Sequence, residues 1–541
     1  MEVQNTTLEA LRSRASTTSP RHDRLEIAAL LAEHRAALAS GRSERDFCES
    51  VDFPRSTLRD EVERLERLDV APEVAAFYTS PQGQLQLMRI VLAAHFVMTL
   101  LGCCGVALVS SFLEMAGLGS FVGTSYGAQQ GINAWMQKQV AAFGQEEHQR
   151  MGKTMPNRTI WLCEDETFFP QMVLVAIEAL SDYVVVERPA EKRDAATWSA
   201  ALSAQLAGLP VEVAGVTADR AKGIAAHALQ SFGLEVTPDV FHVQHDVSKV
   251  ATAPLASRVR AAEEQLQQAR QQGDDDKAAA EKLAQARDHQ QRMAAAIMGL
   301  GESCRPYDER TGELRRGTQV ESDLNEMLDE AEAVATVAGL SEASHKAIGK
   351  ARRAIDAMAA SIAGYHQRVA LCLSELHLPP EIESAMRDQV LPALYLDRIA
   401  EQSRDSETTQ RLHARAKALF APLQNEATSP MMKLSEAAVA DLLRQGTNWV
   451  AMYVRASSNV EGRNGHLELH HHGLRGLSEA KLAALTVVRN FWTRRADGTT
   501  AAERFFAQEP HDVFEWLLDI MPDLPRPAQE RPRAARSPLL N

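Results

Sequence analysis

Aromatic residues are scarce in this chain, at 5% of 541 positions, and net positive charge is absent: 58 Lys and Arg stand against 72 Asp and Glu, a formal charge of −14. That balance excludes a uniformly basic nucleic-acid binder, whose cations must neutralise phosphates over its whole surface. The six cysteines, Cys48, Cys103, Cys104, Cys163, Cys304 and Cys372, include no Cys-x-x-Cys pair. Such usage argues against a zinc knuckle and fits a reducing compartment. The opening residues, Met1-Glu-Val-Gln-Asn5, lack the basic and apolar regions of a secretory leader, so a cytoplasmic protein is expected. One long apolar run exists, residues 90–113, and it is long enough to cross a bilayer. Against a membrane span stand His95 in its interior, Gly102 and Gly105 at its centre, and no aromatic belt or flanking basic cluster. The expectation is two buried helices broken around Gly102 to Gly105, and no membrane partner.

What is present is a globular composition, 45% hydrophobic and 24% charged. The length calls for about three or four domains. Residues 1–80 read as a helix-turn-helix-like region after a frayed start. A helix over 43–50, a turn at 51–53 and a helix from Pro54 to Val62 have the spacing of that motif. Arg55, Ser56 and Arg59 would then face a DNA groove. The turn lacks its usual glycine, and a plain helical pair fits the pattern equally well. Residues 81–155 form a second helical region. A helix over 121–140 there carries Ser125, Tyr126, Gln129, Gln130 and Asn133 on its polar side, which suits either DNA reading or packing.

The periodicity changes at residue 159. Val- and Ile-rich strands are predicted at 159–168, 171–179, 182–188, 210–217 and 240–245, with helices at 195–206 and 223–232. The order β-β-β-α-β-α-β over 156–252 predicts an α/β core with a mixed five-stranded sheet. Residues 253–446 read as all-helical. Two heptad-spaced helices flank Gly273-Asp-Asp-Asp276, predicting an antiparallel coiled-coil hairpin. The chain returns to the core over 447–521, and the proline-rich residues 522–541 are expected to be a disordered tail.

Three acids stand out. Asp165 lies between Glu164 and Glu166 in an otherwise apolar first strand, where a carboxylate is costly to bury without compensation. Asp219 follows the fourth strand directly, at the mouth of a parallel sheet. Glu461 opens a late helical run. The segments Asp165-Glu-Thr-Phe-Phe169, Val216-Thr-Ala-Asp-Arg-Ala-Lys-Gly223, Asp239-Val-Phe-His-Val-Gln-His-Asp-Val-Ser-Lys249 and Ser458-Asn-Val-Glu-Gly-Arg-Asn464 carry a likeness, as does the stretch from Asn490 to Phe506. In these segments the chain resembles bacterial insertion-sequence DDE transposases. The likeness covers roughly residues 155–250 and 447–506 and is looser at the N-terminus.

The resemblance implies an RNase H-like core interrupted by a large all-α insertion, behind an all-α DNA-binding region. It implies Asp165, Asp219 and Glu461 as catalytic residues and metal ligands, holding two Mg²⁺ ions for which Mn²⁺ can substitute. Hard cations of this kind take carboxylate oxygens, and a pair of them suits phosphodiester cleavage and strand transfer. Double-stranded DNA, as transposon ends and target, is the implied partner of a homodimer or larger assembly, associated with the nucleoid. The 54 residues from Asp165 to Asp219 suit two strands, a helix and a strand, whereas the 242 from Asp219 to Glu461 leave room for the helical insertion. Glu164 or Glu166 could replace Asp165 as the first ligand. A domesticated, catalytically silent DNA binder and a different RNase H-like nuclease are the alternatives.

Several neighbours are candidates for DNA contact: Arg220, Lys222, His242, Lys249, Trp449, Arg463 and Asn464. Each has a plainer reading. Arg220 and Lys222 suit solvated loop charges, Trp449 a core residue, and Arg463 and Asn464 groups that orient Glu461. On a strand, His242 and His245 cannot share a face, which argues against a zinc pair. The −14 charge is unevenly spread: residues 301–345 hold 11 acids and 4 bases, whereas residues 447–505 hold 5 acids and 8 bases. A local basic cleft is therefore compatible with an acidic chain.

Overall fold

The β-branched stretches pair into one mixed five-stranded sheet in the computed structural model, which describes residues 23–527 apart from 220, 274, 404, 426–428, 452, 454–457, 475 and 496. The strands are β1 (Arg158–Phe168), β2 (Met172–Glu178), β3 (Val184–Pro189), β4 (Val211–Ala218) and β5 (Thr237–Pro238). Their order is β3-β2-β1-β4-β5. The short links make β1–β2 and β2–β3 antiparallel, and the helical crossovers make β1–β4 and β4–β5 parallel. The crossovers are α1 (Ala195–Leu206), started by the Asp194 side chain accepting from Thr197 N–H, and α2 (Lys222–Phe232), ended by Gly233 at φ 68°. β2 is buried from Val173 to Glu178 and central β1 from Ile160 to Glu164, as stretches covered on both faces must be.

One strand expectation fails. Residues 240–245 do not extend β5; they open a 33-residue helix, α3 (Val240–Gln272). Phe-His-Val-Gln-His mimics strand alternation, but Val240, Val247, Ala251 and Leu255 are the buried positions, and their spacing is helical. Asp239 starts the helix, its carboxylate accepting from His242 N–H at 3.4 Å. The following helix α4 (Lys277–Ser303) returns along α3, the turn between them passing through Gly273 at φ 72°. Val259, Ala262, Leu266 and Leu283 form the seam of this hairpin, and Arg287 pairs with Glu263 across it. The remaining helices between residues 317 and 451 share one large apolar core with the start of α3. Trp449 is buried there, 8% exposed, and is a core residue that presents no face to a base.

By internal packing the chain divides into two units. One comprises Met151–His466 with Ala501–Gln508 and holds the sheet and the helical hairpin. The other comprises Met1–Arg150, Leu467–Thr500 and Glu509–Asn541. Much of the predicted 447–521 segment thus packs with the N-terminal helices. The reason is aromatic and polar anchoring within the second unit: Phe96 meets Trp492 edge-on at 4.9 Å, Phe143 meets Phe491 at 5.8 Å, and buried Lys481 donates to the Thr99 carbonyl.

In that second unit the two expected helices are present as Glu44–Val51 and Arg55–Glu66, and Asp52, at φ 51°, takes the left-handed position for which no glycine is available. Arg55 and Arg59 both reach Glu44, at 2.5 and 2.9 Å, while Ser56 is exposed. The apolar run forms Pro81–His95, a π-helical turn Phe96–Leu101 and, after a break, Val106–Met115. The segment Pro81–Leu101 is long and apolar enough to cross a membrane, yet 56% of its apolar window is buried in the protein. Two of its buried polar groups are matched by the helix Tyr126–Gly152: His95 Nε2 lies 2.8 Å from Gln129, and Thr99 donates to Asn133 at 2.9 Å. Gln129 and Asn133 are therefore interior groups, not surface readers. Residues 522–527 are not a loose tail either: the Pro525 carbonyl accepts from Gly123 N–H, and Arg526 pairs with Glu61. The rest of that segment, 528–541, and the frayed start, 1–22, lie outside the described residues.

Candidate metal centre

Successive side chains on a strand point to opposite faces, and this alternation sorts the three acids of β1. Glu164 and Glu166 share one face. Glu164 is fully buried beside His227 of α2, 3.9 Å away, and burial lifts its carboxyl to about 8 while pressing His227 down to about 4. Glu166 lies 3.4 Å from both the Trp198 indole nitrogen and Arg193. Only Asp165 faces the other side, where Glu461 and His242 lie, so neither neighbour can take its place in a shared site.

Asp165 is held on both oxygens. Its Oδ1 accepts from Glu166 N–H at 2.8 Å and its Oδ2 from Asn464 Nδ2 at 3.0 Å. Its carboxyl is nevertheless pushed up to about 6, chiefly by burial, with the acids Glu461 and Asp219 adding to the rise and His242 opposing it. Crowded carboxylates of this kind favour either a proton or a cation among them. Glu461 stands in the first turn of α5 (Ser458–Leu474). His242 stands in the first turn of α3, its Nε2 3.5 Å from Glu461 Oε1 and 3.9 Å from Asp239 Oδ2. One ligand atom each from Asp165, His242 and Glu461 lies within 4.8 Å of the others, so these three could hold a metal ion. Asp219 is close enough to raise the Asp165 pKa but lies outside that group; its Oδ1 accepts from Ala221 N–H at 2.8 Å, just before α2.

The other candidates separate cleanly. Asn464 orients Asp165. Arg463 forms a bidentate pair with Glu187 of β3, at 2.7 and 2.5 Å, with the two side chains 2% and 0% exposed. It is therefore interior and not a surface phosphate contact. The pair pins the start of α5 to the sheet, two residues from Glu461. Lys222 and Lys249 are exposed. Arg220 lies outside the described residues. Arg55, Ser56 and Arg59 belong to the other unit. His470, later on α5, is buried.

Sequence reasoning had His242 only as a candidate DNA contact and Asp239 only as part of a segment of likeness, and it gave Glu187 no role. The available signal was Asp239-Val-Phe-His242, a cap acid three residues before a histidine, which places the imidazole on the first helical turn.

Comparison with known proteins adds one likeness. Residues 386–533 match a family of unknown function, DUF6399. The matched stretch includes Glu461, Arg463 and Asn464 but neither Asp165 nor Asp219. No curated protein and no solved structure matches the chain.

Proposed function

We propose that this protein is a DDE-type DNA transposase with an RNase H-like core, cleaving and joining DNA strands at the ends of a mobile element. The observation that carries the reading is the meeting of Asp165 and Glu461, from residues 296 positions apart, on one face of a sheet ordered β3-β2-β1-β4-β5, with Asp219 at the adjoining end of β4. Acids on the first and fourth strands and on a late helix are what the family likeness calls for, and the helical segment between α3 and α5 stands where that likeness calls for an insertion.

The donors suit a divalent cation: the carboxylates of Asp165 and Glu461 lie in one group, the first made costly by burial, with Asp219 near enough to raise it further. Cations bound there would activate a water or 3′-hydroxyl and stabilise the leaving oxygen. The chain's own groups do the holding. Asn464 fixes the rotamer of Asp165, the Arg463–Glu187 pair fixes the start of α5, and the Ala221 N–H fixes Asp219. Lys222 and Lys249 are free of the interior and suit phosphate contact.

The test incubates the full chain with supercoiled DNA carrying the terminal inverted repeats that flank its coding sequence, with Mg²⁺ or Mn²⁺. Strand cleavage followed by joining of the 3′-ends to target DNA supports the proposal. Binding without cleavage would replace it with a silent DNA-binding relative, and cleavage confined to RNA–DNA hybrids would replace it with another nuclease of the same fold.

A further inference from the structure

We propose that His242 is a direct ligand of the cation held by Asp165 and Glu461, and that the site consequently selects Mn²⁺ over Mg²⁺. This rests on the reading of Asp165 and Glu461 as cation ligands and adds a nitrogen donor to it.

The position of His242 is imposed by the fold. The Asp239 N–H donates to the Ala218 carbonyl at 3.0 Å, tying the end of β5 to the end of β4. Asp239 is 1% exposed and caps α3. The histidine on that first turn is thereby delivered to the same sheet end that carries Asp165 and Asp219. Its approach to Glu461 is informative. At 3.5 Å, Nε2 and Oε1 are beyond the usual 2.7–3.2 Å of a hydrogen bond. Two ligands bonded at about 2.1 Å to one metal ion lie roughly 3 Å apart when adjacent and about 4.2 Å apart when opposite. The observed 3.5 Å falls inside that interval. The whole three-atom group spans no more than 4.8 Å, so a small contraction would close it around an ion.

The donor chemistry then decides between cations. Carboxylates alone suit Mg²⁺ and Mn²⁺ alike. An imidazole shifts the balance, because Mg²⁺ keeps its water and favours oxygen, whereas first-row transition ions bind nitrogen readily. Mn²⁺ accepts a mixed nitrogen and oxygen set while retaining open positions for phosphate and water. A plain His–Glu ion pair would need no ion and would leave metal preference unchanged, which gives the alternative a different signature.

The experiment titrates the full-length protein with Mn²⁺ and with Mg²⁺ by calorimetry, and records pulsed electron paramagnetic resonance of the bound Mn²⁺. The expected result is ¹⁴N modulation from a coordinated imidazole in the wild-type protein, absent in His242→Gln. Losing an outer partner of a ligand costs about 10–100-fold in metal affinity, so loss of a ligand itself should weaken Mn²⁺ binding by at least ~10-fold. Mg²⁺ binding by the same variant should hardly change. A His242→Asn variant with unaltered circular dichroism guards against misfolding as the cause. Mn²⁺ binding without ¹⁴N modulation, or with modulation that survives His242→Gln, overturns the role of His242 and leaves the carboxylate site standing. Failure of the wild-type protein to bind either ion, with Asp165→Asn indistinguishable from it, overturns the carboxylate reading together with the proposal.

Discussion

Replacing Arg463 by methionine would strip the Glu187 carboxylate of its bidentate guanidinium while keeping a long side chain in the same space. The two groups are 2% and 0% exposed and make two parallel contacts of 2.7 and 2.5 Å. Removing one member of such a buried pair costs about 3–5 kcal/mol, because the remaining charge loses its compensation while still desolvated. Replacing both members by apolar residues is far milder, often neutral. Arg463→Met should therefore lose about 3–5 kcal/mol in urea denaturation, and Arg463→Met with Glu187→Leu should recover most of it. The site predicts a second effect that stability does not. Glu461 lies two residues earlier on α5, so the double variant, though stable, should bind Mn²⁺ more weakly than the wild type. A loss below about 1 kcal/mol in the single variant, or no recovery in the double, would refute the view that this pair pins α5 to the sheet.

Two further outcomes follow from groups outside that pair. Glu164, raised to about 8, is protonated in the fold and ionised in the unfolded chain between 4.5 and 8, so folding stability should fall as pH rises through that window, by ~1.4 kcal/mol per unit. His227, depressed to about 4, acts oppositely between 4 and 6.5, where stability is lost as pH falls, so of this pair only the carboxyl titrates from 6.5 to 8. Denaturation curves there should show a decline of about 2 kcal/mol in the wild type and a flat response in Glu164→Gln; parallel curves would contradict the buried neutral acid. On the N-terminal helices, Glu44→Ala should release Arg55 and Arg59, tightening duplex DNA binding several-fold at low salt and steepening its salt dependence by about one to two ions. Fluorescence anisotropy across a salt series measures this, and unchanged binding would remove that helix pair from the DNA-contacting surface.

The sheet was legible because β1 through β4 are bounded runs of Val, Ile and aromatic residues, and α1 and α2 end in glycine or follow an acidic cap. The hairpin of α3 and α4 was legible from its heptads and the Gly273 turn. The opening of α3 was not, because five residues cannot distinguish alternation from a helical face when histidines and a glutamine fill the polar positions. That misreading left His242 a candidate DNA contact only, whereas on the first helical turn its Nε2 lies 3.5 Å from Glu461 Oε1. Arg463 illustrates another limit. A buried cation and a solvated one look identical in sequence, and its partner Glu187 lies 276 residues away on a strand whose acids gave no signal. Asp165 could be separated from Glu164 and Glu166 only once the pairing of β1 with β2 and β4 fixed which face was which.

The central claim, that Asp165, Asp219 and Glu461 form one cation-dependent phosphodiester site, is tested most directly by measuring DNA strand cleavage with Asp219→Ala and Glu461→Gln, each checked for unchanged DNA binding and folding. The account predicts that both lose more than about 100-fold in cleavage rate, since each removes a ligand rather than its support. Full cleavage by both variants would contradict it.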